Sequence, residues 1–130
     1  MKRLLLIAFV FTLACSKKEA GGSATEAQLT GYSWQTYAYS VNGTADADMV
    51  TRVPFFNFGK DTLFYRRINP LERDTFLYEF KNEQNLRLTR PWKPGSIIFN
   101  LKIERLDSDS LDFTLTDGTG KSELFKTRKS

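Results

Sequence analysis

The sequence predicts an all-β domain, specifically an eight-stranded antiparallel up-and-down barrel, with a two-sheet β-sandwich as the alternative. Apolar and polar residues alternate with a period of two along most of the chain, which is typical of strands with one dry and one wet face. Short turn-forming segments separate these stretches, so that sequential strands pair as antiparallel neighbours. After residue 14, no apolar pattern with the period of a helix extends over ten residues.

The first 14 residues have the parts of a secretory signal, namely two basic residues followed by an apolar stretch of about ten. That stretch is too short to cross a bilayer as a helix, which needs roughly 20 residues. Small Ala14 precedes Cys15, the one cysteine of the chain, and this junction resembles the lipobox of bacterial lipoproteins. We therefore predict that residues 1–14 are removed as a signal peptide and that Cys15 is acylated and anchors the protein to a membrane.

The remaining residues divide into a tether and one domain. Residues 15–28 carry the lipidated cysteine and small polar residues typical of a flexible tether, which leaves 29–130 for a single folded domain. The chain holds 19 basic and 15 acidic residues, two of the basic ones in the leader, and shows no basic stripe for nucleic acid. Histidine, the commonest general base and metal ligand, is absent, the aspartates lack the spacing of a calcium loop, and no catalytic or phosphate-binding motif occurs, so we predict no enzyme, metal site or cofactor.

Eight strands are predicted from the alternation and from the turn residues between its segments. Asn42-Gly43 marks a tight hairpin turn, and Pro91 and Pro94 mark the connection before the sixth strand. The strands are expected at residues 31–41, 51–58, 61–68, 74–80, 85–90, 96–105, 110–116 and 121–128. A meander with one apolar face removes its exposed edges by closing into a barrel, although the same pattern also permits two packed sheets.

Several segments within residues 29–129 carry a resemblance to a known family. They are Leu29-Thr30-Gly31 leading to Trp34, Phe56-Asn57-Phe58-Gly59-Lys60-Asp61, Phe76-Leu77-Tyr78-Glu79-Phe80, Ile103 to Leu111, and Phe125-Lys126-Thr127-Arg128. On these segments the domain looks like the lipocalin-like lipoproteins common in Bacteroidota. The resemblance implies a barrel that binds small apolar molecules, with Trp34 at the closed end against a basic residue of the last strand, Arg128 or Lys126. It also implies the outer membrane, and the lack of an acidic stretch after Cys15 favours its periplasmic side.

The aromatic residues expected on the inward face are the candidates for ligand binding. They are Trp34, Phe56, Tyr78, Phe99 and Phe113, with either Phe64 or Tyr65 from the third strand. Two interpretations are open, because these rings either line a cavity for a lipid, a quinone or a similar molecule, or simply fill the barrel. Trp92, held between two prolines, is expected either to contact a ligand or partner at the barrel mouth or to plug one end.

The predicted function is therefore that of a lipid-anchored protein of the cell envelope which binds a small apolar ligand. The alternative is a protein-interaction module with a filled barrel, whose protein partner the sequence does not identify. Four basic residues near the turns, Arg66, Arg67, Arg73 and Lys93, are expected either to be solvated surface charges or to meet anionic headgroups or an acidic partner.

Overall fold

A computed structural model describes residues 25–130 and consists almost entirely of antiparallel strands. The strands are β1 (Ser33–Val41), β2 (Thr44–Ala45), β3 (Phe55–Phe58), β4 (Thr62–Arg67), β5 (Glu72–Phe80), β6 (Asn85–Arg90), β7 (Lys93–Leu106), β8 (Ser110–Asp117) and β9 (Ser122–Lys129). Residues 25–29 are helical, here called α1, and a second short helix, α2, spans Ala47–Thr51. The predicted signal peptide, Cys15 and the tether up to residue 24 lie outside the described residues.

Eight of the strands form a closed ring. β1 and β3 to β9 pair in sequence, and β9 pairs back with β1, from Trp34 opposite Lys129 to Val41 opposite Glu123. This continuous ladder confirms the eight-stranded barrel and excludes the β-sandwich. β2 is a two-residue ribbon on β1, formed after Asn42 and Gly43, whose φ angles of 49° and 84° are those that a tight type I′ turn requires.

The core lies inside the barrel and follows the predicted alternation. Its buried apolar residues are Leu29, Trp34, Tyr39, Phe56, Phe58, Leu63, Phe76, Tyr78, Leu86, Leu88, Leu101, Ile103, Leu111, Phe113, Leu115 and Phe125. On β4 the inward residues are Leu63 and Tyr65, while Phe64 points outward and is 49% exposed. Tyr65 is therefore the inward aromatic residue of that strand.

The predicted second strand begins later than expected, at Phe55 instead of residue 51. The Asp46 carboxylate accepts a hydrogen bond from the Asp48 backbone N–H at 3.1 Å and caps α2, so that the residues before the strand are helical. Val53 then adopts a φ of 48°, which is incompatible with extended backbone. The extended conformation resumes only after Pro54.

The predicted sixth strand begins earlier than expected, at Lys93 instead of residue 96. Arg90 of β6 pairs with Lys93, so that only two residues connect β6 and β7. Further along, Leu88 pairs with Phe99 and Thr89 with Ile97, a register shift that skips one residue of β7. The resulting bulge turns Ile97 outward, where it is 52% exposed, although strict alternation from Phe99 would place it inside.

The folded part of the chain extends further toward the N-terminus than residue 29. Residues 25–28, which the sequence assigns to the tether, are helical, and Leu29 at the end of α1 is fully buried. Thr30 donates from both its backbone N–H and its hydroxyl to the Glu26 carbonyl oxygen, at 3.0 and 2.9 Å. α1 is thereby held against the barrel that follows it.

Candidate functional site

The barrel has two different ends, because strands that alternate in direction bring every second connection to the same side. The closed end carries α1 and the connections after β3, β5 and β7. The other end, the mouth, carries the connections after β1, β4, β6 and β8. α2 lies on the mouth side, where Met49 and Val50 pack against the core.

The closed end is sealed by Leu29 and Trp34, which are both fully buried. The Trp34 indole Nε1–H donates to the Leu29 carbonyl oxygen at 3.1 Å, which satisfies the one polar atom of the ring. The Lys129 ammonium lies 3.6 Å from the ring centroid of Tyr32 and 5.8 Å from that of Trp34. The basic partner from the last strand is therefore Lys129, and the expectation of Arg128 or Lys126 is wrong because their side chains point outward.

A buried tyrosine fixes the turn between β3 and β4 at the same end. The Tyr78 hydroxyl donates to the Gly59 carbonyl oxygen at 2.5 Å and lies 3.3 Å from a Glu26 carboxylate oxygen. Burial raises the pKa of Tyr78 far above its usual range, and the nearby Glu26 carboxylate raises it further. The hydroxyl therefore stays protonated and joins α1, β5 and the β3–β4 turn.

At the mouth, the barrel holds an open cavity of about 260 Å³. Its apolar floor is formed by Phe56, Leu63, Phe76, Leu88, Phe99, Leu115 and Phe125. Its more polar rim is formed by Tyr39, Met49, Tyr65, Arg67, Glu72, Asp74, Arg90, Lys121 and Glu123. The volume lies just below the ~300–1,000 Å³ typical of ligand pockets, which suits a small molecule or one that extends out of the mouth.

The acidic groups of the rim are engaged by neighbouring side chains. Glu72 accepts from the Arg67 guanidinium at 3.2 Å, and Asp74 forms an ion pair with Arg90. The Glu123 carboxylate accepts from the Tyr39 hydroxyl at 2.6 Å. Each of these pairs joins two different strands, or the two sides of one turn, and together they hold the rim side chains in place.

Hydrogen-bond donors at the rim are in excess. The Nε–H of Arg67 is buried and has no partner among residues 25–130, and Lys121 forms no ion pair within the same part of the chain. Burial raises the pKa of Tyr65, an effect that the Arg67 guanidinium opposes, so that this hydroxyl is also protonated. A ligand with an apolar body and a hydrogen-bond acceptor at one end would match this arrangement.

Within residues 25–130, the residues proposed from the sequence fall into four places. Phe56 and Phe99 line the cavity. Phe113 lies beneath the cavity floor, with its ring 4.9 Å from that of Phe56, while Trp34 and Tyr78 belong to the closed end. Trp92 lies on the mouth side but is 75% exposed, so it does not plug the barrel. Cys15 lies outside the described residues.

Most of the polar rim is missing from the candidates predicted from the sequence, which include Tyr65 only as one of two alternatives and Arg67 only as a basic residue near a turn. Tyr65 and Arg67 have the same parity on β4 as buried Leu63, and Asp74 has the same parity on β5 as Phe76. The sequence therefore does indicate the rim, because charged residues occupy inward-facing positions near the ends of these two strands. The predicted ligand-binding residues are all aromatic, and Trp34, Tyr78 and Phe113 among them belong to the packed core.

Two larger depressions, of about 510 and 550 Å³, lie on the outer surface, one beside α1 and one across β5 to β7. Among residues 25–130, no group of three or more acidic residues is close enough together to hold a metal ion, and no helix is long and apolar enough to cross a membrane. Comparisons of the chain with protein-family models, with curated proteins and with solved structures gave no match.

Proposed function

We propose that this protein is a lipid-anchored lipoprotein of the cell envelope, placed at the outer membrane and facing the periplasm, whose barrel binds a small, mainly apolar ligand. The observation that carries the proposal is the open cavity of about 260 Å³ with an apolar floor and a polar rim. Protein interiors are normally close-packed, so a barrel that served only as a scaffold would be expected to fill this space beside its buried aromatic rings.

The anchor rests on the sequence of the first fifteen residues, in which a short apolar stretch ends at Ala14 and Cys15. A single acyl chain binds membranes only marginally, so stable attachment would need the two or three chains that lipoproteins carry on this cysteine. A Cys15→Ser variant is expected to leave the membrane fraction. Retention of the variant at the wild-type level would contradict the anchor without bearing on the cavity.

We propose binding and no catalytic role for the cavity. Each rim carboxylate is engaged by an arginine or a tyrosine, and the chain has no histidine to act as a general base near neutral pH. The excess of donors at the rim favours a ligand whose polar end accepts hydrogen bonds, such as a hydroxyl, a carbonyl or a carboxylate group.

The cavity is tested with 1-octanol, a probe with an apolar chain and one polar end, by saturation-transfer NMR of the probe signals. Wild-type protein is expected to give a saturable signal. Leu115→Phe adds a ring to the cavity floor and is expected to remove most of that signal. Its control is Thr116→Phe, which adds the same ring at the next position of β8, on the other face of the strand.

Equal signals from the two folded variants, or no signal from wild type, would contradict ligand binding. The protein-interaction module would then become the better account, since the cavity of about 260 Å³ is smaller than most ligand pockets. Native mass spectrometry of protein purified from its own membranes gives a second measurement, because a co-purifying small molecule would identify the natural ligand class directly.

A further inference from the structure

Two adjacent turns at the mouth expose large apolar side chains to solvent. The β4–β5 turn carries Ile68 and Leu71, which are 40% and 59% exposed, and the β6–β7 turn carries Trp92, which is 75% exposed. The Asp74–Arg90 ion pair ties together the strands that bear these turns. The exposed apolar residues therefore form a pair of neighbouring tips on one side of the mouth.

The outer surface beside these tips is positively charged. Arg66 of β4 and Arg73 of β5 lie directly opposite each other in the ladder, on the outward face of the sheet. Like charges in this arrangement repel each other, and within residues 25–130 neither arginine forms an ion pair. The nearby carboxylates of Glu72 and Asp74 do not relieve this repulsion, because they are engaged by Arg67 and Arg90 at the rim.

We infer that these two turns dock the mouth onto a bilayer surface that contains anionic phospholipids. Ile68, Leu71 and Trp92 would enter the headgroup region, where tryptophan in particular is favoured. Arg66 and Arg73 would contact lipid phosphates. The negative charge of the phosphates would offset the repulsion between the two arginines. Lys93, next to Trp92, adds a further positive charge at the same surface.

This docking would place the cavity opening against the membrane. A ligand with an apolar body could then pass between bilayer and barrel with little exposure to water. The chain enters the barrel at the closed end, but residues 16–24 would span about 30 Å when fully extended. That reach is similar to the roughly 30 Å length of a nine-residue strand such as β1, so an anchor at Cys15 permits the contact.

The docking is an inference about the outer surface and does not depend on the proposed ligand. Its test uses the full chain reconstituted into vesicles of phosphatidylcholine, with or without phosphatidylglycerol, that carry bromine atoms on their acyl chains. Bromine quenches tryptophan emission at short range, and the chain has two tryptophans at opposite ends of the barrel. A Trp92→Leu variant reports Trp34 alone, so the difference between the two proteins is the emission of Trp92.

We expect most of the Trp92 emission to be lost in vesicles with phosphatidylglycerol and the Trp34 emission to be unaffected. An Arg66→Ser/Arg73→Ser double variant should lose this effect. Its control, Lys60→Ser/Lys81→Ser, removes the same charge from exposed turns of the closed end and should behave as wild type. If Trp92 escapes quenching, as it would where a protein partner covers the tips, or if quenching is independent of phosphatidylglycerol and of the two arginines, the inference is overturned.

Discussion

The two ends of the barrel use similar residues but are completed in different ways. At the closed end, Leu29 and Trp34 are fully buried, and the Trp34 N–H and Tyr78 hydroxyl donate to backbone carbonyl oxygens. At the mouth, an apolar floor lies beneath open space, and the rim carboxylates of Glu72 and Asp74 form ion pairs with arginines. The closed end is thus built as a core, whereas the mouth leaves an open cavity between an apolar floor and a polar rim.

Aromatic content alone therefore does not locate the open cavity of this small barrel. Phe56, Phe113 and Phe125 pack against one another with ring centroids 4.9 to 5.3 Å apart and support both halves of the interior. At the mouth, the inward-facing residues of β4 after Leu63 are Tyr65 and Arg67. Their polar ends cannot pack as a dry core, and this distinguishes the mouth from the closed end.

The largest expected contrast is between Trp34→Ala and Phe99→Ala. Trp34 is fully buried in a filled end, so its removal should lower the free energy of unfolding by about 3–5 kcal/mol. Phe99 is half-buried beside an existing cavity, so its removal should cost roughly half as much. Urea unfolding measures both losses, provided that the free energy of unfolding depends equally steeply on urea concentration in the two variants. Equal losses would mean that the two ends are packed alike.

The second contrast tests whether residues 25–30 belong to the folded domain. Leu29→Ala removes a buried side chain from the closed end and should lower the free energy of unfolding by about 2–5 kcal/mol. Leu71→Ala removes the same atoms from an exposed turn of the mouth and should change it by less than about 0.5 kcal/mol. A negligible effect of Leu29→Ala would show that α1 is dispensable for the barrel.

The third prediction concerns the buried hydroxyl of Tyr78. Tyr78→Phe removes the hydroxyl that donates to the Gly59 carbonyl oxygen and lies beside Glu26, and it should lower the free energy of unfolding by about 1 kcal/mol at neutral pH. Chemical denaturation at pH 7 measures this change. The matched variant at the mouth is Tyr39→Phe, which removes the hydroxyl bound to Glu123.

These two tyrosines also make stability depend on alkaline pH. Their pKa values are raised above the ordinary value of 10.0 because burial disfavours the charged phenolate, so the folded chain holds these protons more tightly than the unfolded chain does. Their contribution is fully present below about pH 10 and is lost as the pH rises toward the folded pKa. The decline in stability above pH 10 should be shallower in each Phe variant, and an unchanged slope would contradict this assignment.

The last prediction concerns Arg67→Met at the rim, where a small effect is expected. Its ion-pair partner Glu72 is half-exposed and can be solvated by water, so the free energy of unfolding should change by less than about 1 kcal/mol. Thermal unfolding followed by circular dichroism measures the change. A loss as large as that of Leu29→Ala would mean that the rim is part of the structural core.

The barrel itself could be predicted because alternation and turn residues act locally. Asn42-Gly43 specifies its turn, and the parity of Leu111, Phe113 and Leu115 specifies one face of β8. The late start of β3 and the bulge in β7 could not be predicted in the same way. They depend on the capping of α2 by Asp46 and on how neighbouring strands must curve to close the ring.

The cavity was harder to predict than the barrel, because its existence depends on how completely particular rings fill the interior. Phe99 lines open space while Phe113, on the neighbouring strand, is fully buried, although both alternate in the same way with polar residues. The exposure of Trp92 likewise follows from the two-residue β6–β7 connection, which holds the ring outside the barrel.

The most direct test of the account uses the two tryptophans as reporters of the two ends. In an amide NMR spectrum of wild-type protein, the indole N–H signals of Trp34 and Trp92 report the closed end and the mouth, while amide signals of Leu63 and Leu115 report the cavity. Titration with 1-octanol is expected to shift the cavity signals saturably and to leave the Trp34 signal unchanged. The absence of saturable shifts, or shifts centred on Trp34, would contradict a ligand-binding mouth opposite a closed end.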